Sequence, residues 1–144
     1  MTITIPLALP SVANQRLHWR AKAAQVKRQR HAVAFAVWCS TSSINGPWPE
    51  RPPYSVLLTR IGPRKLDSDN LASAFKAVRD QVARLLYVDD GDESRVTWAY
   101  GQEKGPPSIR IEVLAAGTPA IVPGPAAGGG VPGAPTRQEP GFSK

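Results

Sequence analysis

Leu71, Ala74, Phe75, Val78, Val82, Leu85 and Leu86 recur at spacings of three, four and seven. That is the helical period, so one face of a helix here is apolar and must be covered. A pair of carboxylates flanks each end of the stripe: Asp67 and Asp69 before it, Asp89 and Asp90 after it. The stretch from Leu66 to Glu93 holds seven of the eleven acidic residues in a chain of net charge +7. At about 100° per residue, Lys76 and Asp80 fall opposite the stripe, with Asp69 if the helix already includes it. Any fold for this chain must place an amphipathic helix with acids at both ends and a lysine near its middle.

Clustered carboxylates are costly. At about 4 Å and an effective dielectric of about 20, two like charges repel by roughly 4 kcal/mol. Mg²⁺ or Mn²⁺ would neutralise them, because these ions favour hard oxygen ligands and accept few carboxylates alongside water. A simpler account exists for each pair. Asp and Asn before a helix accept hydrogen bonds from its free N–H groups. Asp89-Asp90-Gly91-Asp92 has the composition of a solvated turn. The residues alone leave both accounts open.

The same segment resembles the RusA family of Holliday-junction resolvases. The resemblance is carried by Asp67-Ser68-Asp69-Asn70, by Lys76 and Asp80 four apart, and by Val88-Asp89-Asp90 after an apolar turn. It covers residues 66 to 93 well and residues 1 to 114 loosely. It implies a small homodimeric endonuclease, often phage-encoded, that cuts four-way DNA junctions with Mg²⁺. By the resemblance Asp67, Asp69 and Asp90 are the essential carboxylates and Lys76 the essential lysine. Lys76 follows Asn70 by six positions, where the family pattern has three. The extra residues are almost one helical turn, so the side chain returns to within about 60° of the expected face.

The single cysteine, Cys39, excludes an intramolecular disulfide framework and fits a reducing compartment. No apolar run has the length of a membrane span, and the N-terminus lacks the basic start and apolar core of a signal peptide. A cytoplasmic protein is expected. No acidic residue occurs before Glu50, against six Lys or Arg: Arg16, Arg20, Lys22, Lys27, Arg28 and Arg30. A solvated face accounts for such a run, and so does a surface that neutralises phosphates. Arg60, Arg64 and Lys65 lie just before Asp67, cations beside the acids as a phosphodiester cutter requires. His18 has no second His, Cys or acid near it to make a metal set and reads as a surface residue.

Taken in order, Thr2–Leu9 alternates as a strand bent or edged by Pro6. Residues 21–39 read as a helix with Ala23, Val26, Val33 and Val37 on one side. Residues 40–53 form a proline-punctuated loop, and 54–61 a strand. After the acidic helix, Ser94–Tyr100 and Ser108–Leu114 alternate, with Gly105-Pro106-Pro107 reading as a hairpin turn between them. Trp98 and Tyr100 are core by this pattern, or base-stacking platforms. From Ala115 onward, thirteen of thirty residues are Pro or Gly, which predicts a disordered tail.

The expectation is an α/β (α+β) domain over residues 1–114: two helices on a mixed four-stranded sheet in the order βαβαββ, followed by the 115–144 tail. The expected activity is Mg²⁺-dependent resolution of Holliday junctions or other branched DNA in recombination and repair. Asp67, Asp69 and Asp90, with Asp89 as a further ligand, would hold the metal, and Mn²⁺ could substitute. Lys76 would offset charge on the phosphate or leaving oxygen. Asn70 would orient a carboxylate or cap the helix, and Asp80 would pair with Lys76. Arg16, Arg20, Lys27, Arg28, Arg60, Arg64 and Lys65 would contact DNA. The competing expectation is a non-catalytic nucleic-acid-binding protein whose acids only cap helices and hydrate a turn.

Overall fold

The computed structural model describes residues 1–11, 18–41 and 51–115. In chain order its elements are β1 (Thr2–Ile5), α1 (Trp19–Thr41), β2 (Tyr54–Gly62), α2 (Ser68–Leu85), β3 (Val96–Lys104) and β4 (Ser108–Ala115). This is the α+β arrangement of two helices and a mixed four-stranded sheet that the sequence predicts. Arg16 and the expected tail beyond Ala115 lie outside the described residues.

The stripe on α2 does what its spacing requires. Leu71, Ala74, Phe75, Val78 and Val82 are buried, Phe75 completely. The helix stops in a Schellman arrangement. Val88 donates its N–H to the Ala83 carbonyl at 3.1 Å, and Tyr87 donates to Arg84 at 3.3 Å. Tyr87 adopts the left-handed φ of 55° that this motif needs, at a position usually given to glycine.

On α1, Val33 and Val37 are buried as expected, but Val26 is exposed and Ala23 is exposed too. Gln29 takes the buried position instead. The reason is that Val26 borders an open cleft between α1 and α2, where the two helices do not close on each other.

The strand order is β1-β4-β2-β3. β2 and β3 are parallel, from Tyr54↔Val96 to Gly62↔Lys104, and β4 is antiparallel to both β1 and β2. The expected β3–β4 hairpin is therefore not formed. The crossover through α2 returns the chain parallel to β2, and the next loop then crosses the end of β2 to reach its other side. Gly105 donates its N–H to the Gly62 carbonyl at 3.3 Å on the way. A Cβ on Gly105 would lie 2.8 Å from Ile61 Cγ2, so any larger residue would force the Ile61 side chain or the crossing loop to shift. β3 runs on to Lys104, beyond the expected Tyr100, because its parallel partner continues to Gly62. β1 ends at Ile5, where Pro6 removes a donor, short of the expected Leu9.

Both helices cover the sheet face that carries Ile3, Ile5, Val56, Leu58, Ile109 and Ile111. Trp98 and Tyr100 pack against this core half-buried, so they belong to it. Among the described residues no helix is long and apolar enough to cross a membrane.

Candidate active site

Because β2 and β3 are parallel, α2 must run back along the sheet between them. Its N-terminus lies at the end where Gly62 meets Lys104, and its C-terminus at the end where Tyr54 meets Val96. The two carboxylate pairs therefore sit at opposite ends of the domain.

At the first end, Gln102 of β3 clamps the approach to α2. Its amide accepts from the Leu66 N–H at 2.7 Å and donates to the Leu66 carbonyl at 2.7 Å. Asp67 follows directly, in the N-cap position with extended backbone, yet its side chain makes no capping hydrogen bond. The Asn70 amide lies 3.5 Å from Asp67 Oδ2. Asp69 is exposed in the first turn of the helix. Arg64, Lys65 and Lys76 are exposed as well. Arg60 is not free for a ligand. Its Nε donates to the Leu9 carbonyl at 2.9 Å and a terminal nitrogen to the Arg64 carbonyl at 2.7 Å. It holds the segment that delivers Arg64 and Lys65.

At the second end the acidic residues divide by role. Asp89 accepts the Gly91 N–H at 2.9 Å, and Asp92 accepts the Ser94 N–H at 3.1 Å and the Ser94 hydroxyl at 2.5 Å. The Ser94 hydroxyl, donating to that carboxylate, holds the Asp92 pKa below its ordinary value. These two acids build the turn. Asp90 does not join them. Its Oδ2 lies 3.2 Å from Arg79 Nε. Its carbonyl accepts from the Trp98 indole at 3.0 Å and from a terminal nitrogen of Arg79. The guanidinium carbon of Arg79 sits 5.2 Å from the Trp98 ring centroid, a cation–π contact. Trp98 and Arg79 thus fix Asp90. Arg79 lies eleven positions before Asp90 and nineteen before Trp98, separations that match no local pairing rule, so sequence reasoning missed this support.

Asp80 does not pair with Lys76 as expected. It pairs with Arg30 of α1 at 3.0 Å, because α1 packs across that face of α2 and offers a longer, forked donor. The ammonium of Lys76 is left without an ion-pair partner among the described residues and faces the α1–α2 cleft. Lys22, Arg30 and Lys76 give this cleft, of about 300 Å³, a basic lining. Arg20, Lys27 and Arg28 are exposed on α1, with the Arg20 guanidinium 5.2 Å from the Trp19 ring centroid. His18 is exposed, its ring 5.6 Å from Trp19.

Arg79 stands 12 residues beyond Asp67 along α2, about 18 Å at 1.5 Å per residue. Asp90 is held at Arg79, so Asp67 and Asp90 of one chain are far beyond the reach of a shared ion. Among the described residues no three His, Cys, Asp or Glu side chains form a group that could hold a metal. No protein-family model matches the chain, and no curated protein matches it in sequence.

Proposed function

We propose that this protein is a magnesium-dependent endonuclease for branched DNA, the four-way Holliday junction foremost, and that it works as a pair of identical chains. The observation that carries this reading is Asp67: a carboxylate in the capping position whose side chain makes no capping bond. The bland account of an Asp before a helix is that it caps, and here it bonds none of the helix N–H groups; the Asn70 amide at 3.5 Å is its hydrogen-bond partner. Asp69 stands exposed in the same turn, Arg64 and Lys65 are exposed just before Asp67 in the chain, and Lys76 is exposed further along α2 at the α1–α2 cleft.

The donor chemistry fits magnesium at the first end. Two carboxylates with room for water and a phosphate oxygen are the usual protein share of such a site. Bound there, the ion would lower the pKa of a water and stabilise charge on the phosphate under attack. Asp67 and Asp69 would hold it, Asn70 would orient Asp67, and Lys76 would offset charge on the departing oxygen. Exposed Arg20, Lys27, Arg28, Arg64 and Lys65 would bind the flanking backbone.

Asp90 cannot complete that set within its own chain. It can do so across a two-fold axis, where antiparallel copies of α2 bring the N-terminal end of one beside the C-terminal end of the other. Such a pair carries two equivalent sites, matching two symmetric cuts in a two-fold symmetric junction. The compartment we assign is the reducing cytoplasm, in keeping with an exposed, free Cys39.

The test is a labelled four-way junction incubated with and without Mg²⁺. Paired cuts that need the ion are expected from the wild type. Asp67→Asn, Asp69→Asn and Asp90→Asn should each stop cutting and leave junction binding intact or tighter. A protein that binds the junction, weakens steeply with salt and never cuts it would be the non-catalytic binder instead.

A further inference from the structure

We propose that the open edge of β3 is the surface on which a second copy of this chain pairs, antiparallel and centred on Tyr100, to give one continuous eight-stranded sheet. The inference rests on the nuclease reading for its need of a partner, and on the strand itself for the place.

β3 is an outermost strand of the sheet. Tyr54 pairs with Val96 and donates its N–H to the Arg95 carbonyl at 2.8 Å. In a parallel ladder that bond fixes the alternation. The main-chain groups of Thr97, Ala99, Gly101 and Glu103 face β2, while those of Trp98, Tyr100 and Gln102 face outward. Among the described residues these outward groups have no hydrogen-bond partner. The strand has nine residues, no proline, and charge only at its last two positions, Glu103 and Lys104. Edges left single are normally blunted by proline, bulges or central charges, and this one has none of them.

Tyr100 is the midpoint of Val96–Lys104. Pairing centred there would unite the whole strand with its copy through about ten main-chain hydrogen bonds. Both α2 helices would then lie antiparallel on one face, about 10 Å apart, an ordinary packing distance. Asp67 and Asp69 of one chain would come level with the partner's Asp90.

The charges at the two ends agree. Asp89 and Glu93 are exposed at the Val96 end beside the equally exposed Arg95, and Arg64, Lys65 and Lys104 are exposed at the other, so antiparallel pairing sets two acids and one arginine against three bases. Only Asp67 and Asp69 meet carboxylate, and a divalent cation relieves that repulsion. The pair should therefore tighten when Mg²⁺ replaces chelator.

The experiment uses the full chain with Cys39→Ser and a spin label at Thr97→Cys or, separately, at Thr4→Cys. Both threonines are exposed, so neither substitution threatens the core. Pulsed dipolar spectroscopy at tens of micromolar protein with Mg²⁺ should give a Thr97 separation of about 20 Å, from six residues of offset along the strands. Thr4, on the far edge strand β1, should give about 35 Å, from the strand spacing. A monomer under these conditions, or a short Thr4 distance with no short Thr97 distance, overturns the proposed edge. Junction cutting by a protein that fails this test leaves the nuclease reading standing without this interface. A pair with the expected distances that never cuts keeps the interface and removes the nuclease.

Discussion

An α-helix leaves its first N–H groups unbonded, and an Asp ahead of it ordinarily answers one of them. In α2 the Asp67 side chain does not. A capping Asp replaced by alanine costs typically about 1 kcal/mol. Asp67→Ala should lose less than that in urea unfolding. What it does lose is the interaction of its charge with the helix dipole, which fades with added salt. A salt-independent loss of 1 kcal/mol or more would show that Asp67 caps after all. Asp92 differs from Asp67 in accepting a backbone N–H, that of Ser94, as well as a side-chain donor. The Ser94 hydroxyl lowers its pKa, so the charged form is favoured in the folded chain. Its contribution is present above the unfolded pKa and is lost as pH falls through the lower, folded one. In Ser94→Ala the Asp92 pKa should rise toward the ordinary carboxylate value, as read by an NMR titration. An unmoved value would mean that the hydroxyl is not its cause.

At the scale of elements, α2 was legible because its buried residues lie three and four apart and nothing else in the chain competes for them. Its ending was not. Tyr87 sits at φ 55° and is 89% exposed, so neither hydropathy nor propensity marks it as a helix terminator. Tyr87→Gly should stabilise the protein by about 1 kcal/mol, because glycine takes the left-handed conformation without a Cβ penalty. Unchanged or lower stability would show that the tyrosine ring contributes packing that outweighs the strain. The β3–β4 connection was misread for a related reason. Gly105-Pro106-Pro107 has turn chemistry, but chemistry alone does not say which strands a turn joins. That was decided by the parallel crossover through α2, a long-range fact. The partners of Asp80 and Asp90 were hidden in the same way. Arg30 lies 50 positions from Asp80, and the i,i+4 rule that suggested Lys76 gave way to helix packing.

At the scale of the molecule, the fold class followed from the alternation of strand and helix periods, and the sheet and both helices form as that pattern predicts. The candidate acids were legible as residues but not as a site. Sequence proximity suggested one cluster, and a helix of 18 residues holds its two halves apart. A site divided between copies makes a specific demand on mixtures. A pair made from one Asp67→Asn chain and one Asp90→Asn chain has both substitutions in one composite site and none in the other. Sites contained within single chains would both be damaged.

The direct measurement is therefore cleavage of a four-way junction in Mg²⁺ by Asp67→Asn and Asp90→Asn proteins, each alone and after mixing with subunit exchange. Each alone should be inert, and the mixture should regain cutting of one strand through its one intact site. A wild type that cuts while the mixture stays inert would contradict the shared site, and a wild type that never cuts would contradict the nuclease itself.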